Sequence, residues 1–270
     1  MTDPIDTELR ALLAAGDPIA ALEERAGEEL RRTPNRRTFR LEVGGRAYFA
    51  KVHRGWELHA AVTNLLKGAK AAPDAFDEAR ALEHLAALDV PVPRVAAAGV
   101  AGGGFLGRRS YLVTEDVGTQ ETLDALWRNA DRWEALPARE RRALIEEAGR
   151  LVGSMHGAGI NHRDLYLVHF HVRPPGAERR LVLLDLHRAQ SRARVPRRWR
   201  VKDLAGLLAS ASAHRRPSRT DLLCFARAYA SADPAAARDG ALWRAVEERA
   251  ARDVERQPEP GAPPSGRASG

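Results

Sequence analysis

The stretch RRTFRLEVGGRAYFAKV, residues 36–52, alternates apolar and polar side chains on both sides of Gly44-Gly45. Phe39, Leu41 and Val43 share one face before the glycines, and Tyr48, Ala50 and Val52 continue it after them. A period of two is that of a pleated strand, and two glycines supply the positive-φ residues of a tight turn. The stretch is therefore an antiparallel hairpin, and the rest of the fold has to be built onto it.

The remaining chain sorts by period. Residues 5 to 30 read as amphipathic helix, with Ile19, Leu22 and Leu30 among Glu and Arg. In DAFDEARALEHLAAL, Ala75, Ala79, Leu82 and Leu85 have helical spacing, and VPVPRV breaks the helix. Strands are predicted over residues 95–100 and 110–115, joined by AGGGFLG. Beyond Val117 the pattern is helical: Leu144, Ala148, Leu151 and Met155 form one stripe, which Gly157 and Gly159 stop. HFHV and RLVLLDL read as two short strands around RPPGAER, and helices then run from Val201 to Arg256. This order predicts an α+β, two-lobed chain. Residues 1–30 are a helical extension, 31–117 a small strand-rich lobe with one helix, and 118–256 a larger helical lobe with a single hairpin. Residues 257–270, mostly Pro, Gly and Ser, are a disordered tail.

Totals narrow the function. A chain of 270 residues with 44% hydrophobic and 29% charged residues suits a soluble globular protein of one large domain or two lobes. No apolar run approaches the roughly 20 residues of a membrane span, and MTDPIDTELR is too acidic for a secretory signal. The single cysteine, Cys224, excludes an internal disulfide and a thiolate metal cluster, so a reducing cytoplasm is expected. The net charge of +7, carried mostly by arginine, suits a partner with phosphates or carboxylates. A general bias toward arginine and alanine would give the same balance without one.

The chemistry concentrates in four residues. Asp164 precedes the second hairpin and Asp185 ends it, 21 positions later, so antiparallel pairing brings two carboxylates to one end. Carboxylates gathered this way repel unless they share a proton or a cation, and Mg²⁺ prefers oxygen ligands. The bland alternative is a solvated pair at a hairpin end. Lys51 lies within a strand, where a buried ammonium is costly unless paired. Glu78 shares the helix face of Leu82 and Leu85, so it points inward and can neutralise Lys51. An edge-strand lysine facing water is the alternative. Together the four are the parts of kinase phosphoryl transfer: a lysine for phosphates, one aspartate for the nucleophile and another for metal.

The HRD at 162–164 matches the catalytic loop of kinases, and the DLH at 185–187 stands where their metal-binding DFG usually does. AGINHRDLYLVHFHV, LDLHRAQSRARVPRRWRVKDLAGL and RRTFRLEVGGRAYFAKVHRG resemble the bacterial lipopolysaccharide kinase family, and within it the lipopolysaccharide core heptose(I) kinases. The resemblance covers residues 30 to 230. It implies a protein-kinase-like fold and ATP-dependent phosphorylation of a sugar hydroxyl of the lipopolysaccharide inner core, the first heptose. The expected setting is cytoplasmic, at the inner face of the inner membrane. By position, Lys51 would contact the ATP phosphates, Glu78 would hold Lys51, Asp164 would accept the acceptor's proton, and Asp185 would bind Mg²⁺. His169 falls where protein kinases carry the asparagine of the second metal site. His162 and Arg163 would support the loop, and Asp203 would anchor its backbone. Backbone from Glu115 to Val117 would meet the adenine. Two features depart from the pattern. No GxGxxG precedes Lys51, which leaves phosphate covering to GEELRRTPNRR, and DLH lacks the usual glycine.

The inner core is dense in anions and lies at a membrane. Arg192, Arg194, Arg197, Arg198 and Arg200 are therefore expected to bind the glycolipid acceptor by charge-assisted contacts, with peripheral contact to an anionic membrane surface and no nucleic acid. The tract also reads as a solvated basic loop. Two other functions remain open: a kinase of another small acceptor such as Kdo, or a non-catalytic basic binding protein with a kinase-like fold.

Overall fold

The structure, a computed structural model, describes residues 4–54, 75–101, 109–177, 180–236 and 239–255. Most of the AGGGFLG connection and the predicted tail at 257–270 lie outside the described residues.

The first lobe is an antiparallel sheet of β1 (Glu29–Thr33), β2 (Arg36–Val43), β3 (Arg46–Arg54), β4 (Val95–Ala101) and β5 (Arg109–Glu115). Their spatial order is β1-β2-β3-β5-β4. The hairpin forms as expected: Phe39 stands opposite Ala50 and Leu41 opposite Tyr48, and Gly44 and Gly45 turn the chain at φ 57° and 72°. Alternation divides the sheet into two faces. Phe39, Leu41, Tyr48, Ala50 and Val52 are buried against Leu9 of α1 (Pro4–Ala14) and Ile19 and Leu22 of α2 (Pro18–Glu24). Lys51 reaches from the opposite face toward α3 (Ala75–Ala87).

The N-terminal expectation needs correction. Residues 5–30 are two helices, not one: Gly16 sits at φ 149°, and Asp17 caps α2 by accepting from the Ile19 N–H at 3.1 Å. From Glu29 the chain is strand, which leaves Leu30 exposed on β1. The helical residues before it complete the core of the sheet. The 30/31 boundary therefore cuts through β1.

The second lobe contains α4 (Leu123–Arg128), α5 (Ala130–Ala135), α6 (Ala138–Gly157), α7 (Arg197–Ser212), α8 (Arg219–Ala232) and α9 (Gly240–Glu255). Leu144, Ala148, Leu151 and Met155 of α6 are all buried, and each of the three larger side chains, Leu144, Leu151 and Met155, contributes about 1.5–3 kcal/mol on burial. α8 packs tightly on the same helix, because a Cβ at Gly149 would lie 2.6 Å from the Phe225 carbonyl and one at Gly153 2.5 Å from that of Tyr229. Four short strands complete the lobe: β6 (Ile160–Asn161), β7 (Phe170–Val172), β8 (Leu181–Leu183) and β9 (Gln190–Ser191). β7 pairs with β8 as the sequence predicts, and β6 pairs with β9. No helix among the described residues is long and apolar enough to cross a membrane.

Candidate active site

Three sequence-distant side chains meet where the lobes face each other. Lys51 Nζ donates to Glu78 Oε1 at 2.6 Å and to Asp185 Oδ1 at 3.1 Å. Glu78 is 3% exposed, and its Oε2 has no hydrogen-bond partner among the described residues. Burial alone would pull the Lys51 ammonium down, but the two carboxylates outweigh it and hold it above its ordinary value. Burial would likewise raise the Asp185 carboxyl; instead the hydrogen bond from His187 Nδ1, at 2.7 Å, and the Lys51 charge keep it well below the carboxylate range. Asp185 itself sits at φ 64°, so the backbone accepts strain to present this side chain.

The other carboxylate lies on the loop between β6 and β7. Gly159 opens the approach at φ 78°, where a Cβ would collide with the Arg192 carbonyl. Arg163 also takes a left-handed conformation, φ 75°, which costs a non-glycine residue about 1–2 kcal/mol. Asp203, fully buried on α7, offsets that cost by accepting from the backbone N–H of His162 at 2.7 Å and of Arg163 at 2.8 Å. Lys202 donates to the Arg163 carbonyl from the same helix. The loop so held presents Asp164, whose two oxygens both accept from Arg188 Nη1, at 3.0 and 2.8 Å. Lys202 Nζ stands 3.6 Å from the same carboxylate.

Two histidines face each other behind these aspartates. The rings of His162 and His169 stack at 5.2 Å, and His162 Nε2 lies 3.2 Å from the Leu184 carbonyl. Burial pushes His169 down to about 4, helped by the neighbouring His162, and burial also lowers His162. Both rings are neutral at neutral pH. His169 can therefore offer a lone pair but no positive charge.

At the connector, Glu115 donates its N–H to the Arg94 carbonyl at 2.9 Å, and Asp116 to that of Ala47 at 3.0 Å. The Glu115 side chain is taken by Arg94 and, at 3.3 Å, by Arg46, which lowers its carboxyl. Val117 is half-buried beside Gly118, which turns the chain at φ 78°. Residues 27–37 form β1 and its turn into β2, with Glu29 held by Arg32 at 2.7 Å and Arg37 at 2.5 Å.

The arginine tract divides. Arg194, Arg197 and Arg198 are exposed at and before the start of α7, with Arg197 3.5 Å from Asp239. Arg200 is buried and ion-paired with Asp233, so it is no surface contact for an acceptor. Arg192 lies between the two groups and donates to Asn161 Oδ1 and Gln190 Oε1 at 2.5 Å each.

Sequence reasoning missed Arg188, Lys202, His156 and Trp199. His156 lies 3.3 Å from Asp203 through Nε2 and 2.8 Å from the Tyr229 hydroxyl through Nδ1, extending the anchor of the loop into the helical core. The Trp199 ring has Arg163 at 5.3 Å, Arg198 at 5.4 Å, Arg192 at 5.8 Å and Lys202 at 6.0 Å. A tryptophan within an arginine run was the available signal, because indole is the strongest ring partner for cations.

The arrangement can hold a phosphorylated nucleotide and deprotonate a hydroxyl. Mg²⁺ bound largely through substrate phosphates needs only one or two protein carboxylates, and Asp185 fits that requirement. Comparison with known proteins agrees with this chemistry. The model of the lipopolysaccharide kinase (Kdo/WaaP) family matches residues 20–229. The lipopolysaccharide core heptose(I) kinase WaaP of Pseudomonas aeruginosa is 38% identical over 232 residues, covering 83% of this chain and 85% of that protein. Its namesake from Escherichia coli is 38% identical over 222 residues, covering 80% and 82%. Among solved structures, WaaP in complex with acyl carrier protein superimposes with a TM-score of 0.72 at 33% identity, covering 90% of this chain and 95% of that one.

Proposed function

The chain belongs to the lipopolysaccharide kinase (Kdo/WaaP) family, and on that premise we propose that it transfers the γ-phosphoryl group of ATP to the first heptose of the lipopolysaccharide inner core. It is a kinase acting on an alcohol group, and the family implies ATP as the donor. The observation that carries the reading is the junction of Lys51, Glu78 and Asp185, drawn from a strand, a helix and a post-strand turn.

Lys51, aligned by Glu78, binds ATP phosphates by direct charge. Backbone between Glu115 and Val117 receives the adenine. Asp185 would hold Mg²⁺, which would neutralise charge on the phosphates, and His169 offers a neutral nitrogen to the same region. Asp164 orients the heptose hydroxyl and takes its proton as the oxygen attacks phosphorus. His162, Arg163 and Asp203 keep Asp164 in place. Arg194, Arg197 and Arg198 dock the anionic glycolipid, which brings the enzyme to the inner face of the inner membrane. An acyl carrier protein, found with the solved relative, is a second partner in this proposal.

The test is to incubate the purified protein with ATP, Mg²⁺ and an inner-core acceptor, then locate the phosphate by mass spectrometry and NMR. Asp164→Asn should fold normally and lose about 10²–10⁴-fold in turnover, the usual loss of a general base. Phosphate on no heptose hydroxyl, or near-full activity of the variant, would overturn the assignment.

A further inference from the structure

Asp164 is not free in this structure, and what covers it suggests more than a resting ion pair. Arg188 contacts both carboxylate oxygens through Nη1 alone, which leaves Nε and Nη2 outside the contact. Its side chain is 45% exposed against 18% for Asp164. Arg188 therefore covers the aspartate from the solvent side, the side from which an acceptor hydroxyl has to come.

The other cations near this point are held by contacts of their own. The chain from Leu165 to Val172 contains no lysine or arginine. Lys51 is committed to Glu78 and Asp185, and Lys202, which stands 3.6 Å from the Asp164 carboxylate, also donates to the Arg163 carbonyl and is less exposed than Arg188. Arg163 lies against Trp199. Phosphoryl transfer accumulates negative charge on the oxygens of the moving group, and catalysis comes mainly from fixed cations aimed at them. Arg188 is placed to be one. It follows Asp185 by three residues, in a turn closed by the Ala189 N–H on the Leu186 carbonyl at 2.9 Å. The chain thus carries it three residues beyond the aspartate assigned to the metal and brings it onto the one assigned to the acceptor.

We infer that Arg188 is a further catalytic residue: it guards Asp164 at rest and moves to the transferring phosphoryl group when the acceptor hydroxyl takes its place on Asp164. This rests on the kinase reading above. As the acceptor O–P bond forms, the P–O bond to ADP breaks and the hydroxyl proton passes to Asp164. Arg188 remains protonated throughout and binds the oxygens of the phosphoryl group in flight. Its long side chain exchanges a carboxylate for a phosphoryl group, both anionic oxygen ligands that a guanidinium can bind in a bidentate way.

The experiment compares the wild type with Arg188→Ala and Arg188→Lys in two measurements. Steady-state kinetics with ATP and an inner-core acceptor should show kcat lower by about 10²–10³-fold in Arg188→Ala, the typical cost of removing a transition-state donor. The KM for ATP should stay within about threefold, because ground-state binding is untouched. Added guanidinium should restore part of the rate, and Arg188→Lys should fall between. In the second measurement, Mg²⁺-dependent binding of ADP with aluminium fluoride should weaken far more than binding of ADP alone. An unchanged or raised kcat would overturn the inference, since Arg188 would then only obstruct Asp164. Equal weakening of both ligands would also overturn it. A wild type that phosphorylates no heptose would sink the substrate reading, yet the nucleotide comparison would still report on Arg188. Thermal melts by circular dichroism identify a misfolded alanine variant, and Arg188→Lys then decides.

Discussion

Removing the Lys51 ammonium should damage stability as well as activity, because it serves two carboxylates at once. Glu78 is almost fully buried and bonds Lys51 at 2.6 Å, and the half-buried Asp185 lies 3.1 Å away. Lys51→Met keeps most of the side-chain volume but leaves Glu78 as an uncompensated buried charge, a change that costs about 3–5 kcal/mol. Glu78→Gln keeps an oxygen acceptor for Lys51, which still has Asp185, so the cost is about 1–2 kcal/mol. In the double variant neither group carries charge, and the loss should fall short of the sum of the single losses by about 1–3 kcal/mol. Urea unfolding measures this directly, provided the slope m is unchanged between variants. The shared partner adds a second expectation: Asp185→Asn should weaken the coupling between Lys51 and Glu78 little, because the Glu78 contact is the shorter and more buried. Losses that add within about 0.5 kcal/mol would refute the pairing. So would a Lys51→Met protein as stable as the wild type.

Asp203→Asn should cost about 2–4 kcal/mol and most of the activity, since the His162 and Arg163 N–H groups bond different carboxylate oxygens and one of them would face the asparagine NH2, itself a donor; a fully active, equally stable variant would show that the strained loop holds itself. The folded-state pKa of His169, about 4, lies below its ordinary 6.5, so the unfolded chain binds this proton first as pH falls. Stability present above pH 6.5 should then be lost on descending toward 4, by at most about 3 kcal/mol, and His169→Asn should flatten a plot of urea midpoint against pH over that window. Replacing Arg194, Arg197 and Arg198 by Gln should raise the KM for acceptor, leave that for ATP nearly unchanged and reduce the salt dependence, because exposed charges are screened beyond about 8–10 Å at moderate ionic strength. If kcat falls instead, with no response to salt, the three arginines act in chemistry rather than docking.

Repeating patterns and local motifs were legible directly. The alternation around Gly44-Gly45, the α6 stripe ending at Met155 and the two strands after Asp164 all follow from side-chain periods within a few residues. The inward face of Glu78 followed the same way, and with it a partner for Lys51. The α+β class is a sum of such local signals. The helix expected through residue 30 failed for a local reason too, since an Asp cap followed by proline at 17–18 starts a new helix and the pattern of apolar residues runs across the break. Only the tertiary structure could decide the contacts between segments without a shared period. Lys51 and Asp185 are 134 positions apart, and a third member on Lys51 requires the lobes to face each other. Arg188 and Arg200 look alike in an arginine-rich tract, yet one covers Asp164 near solvent and the other is buried on Asp233. A charged side chain's role depends on its partner and its distance from water, and neither is encoded by its immediate neighbours.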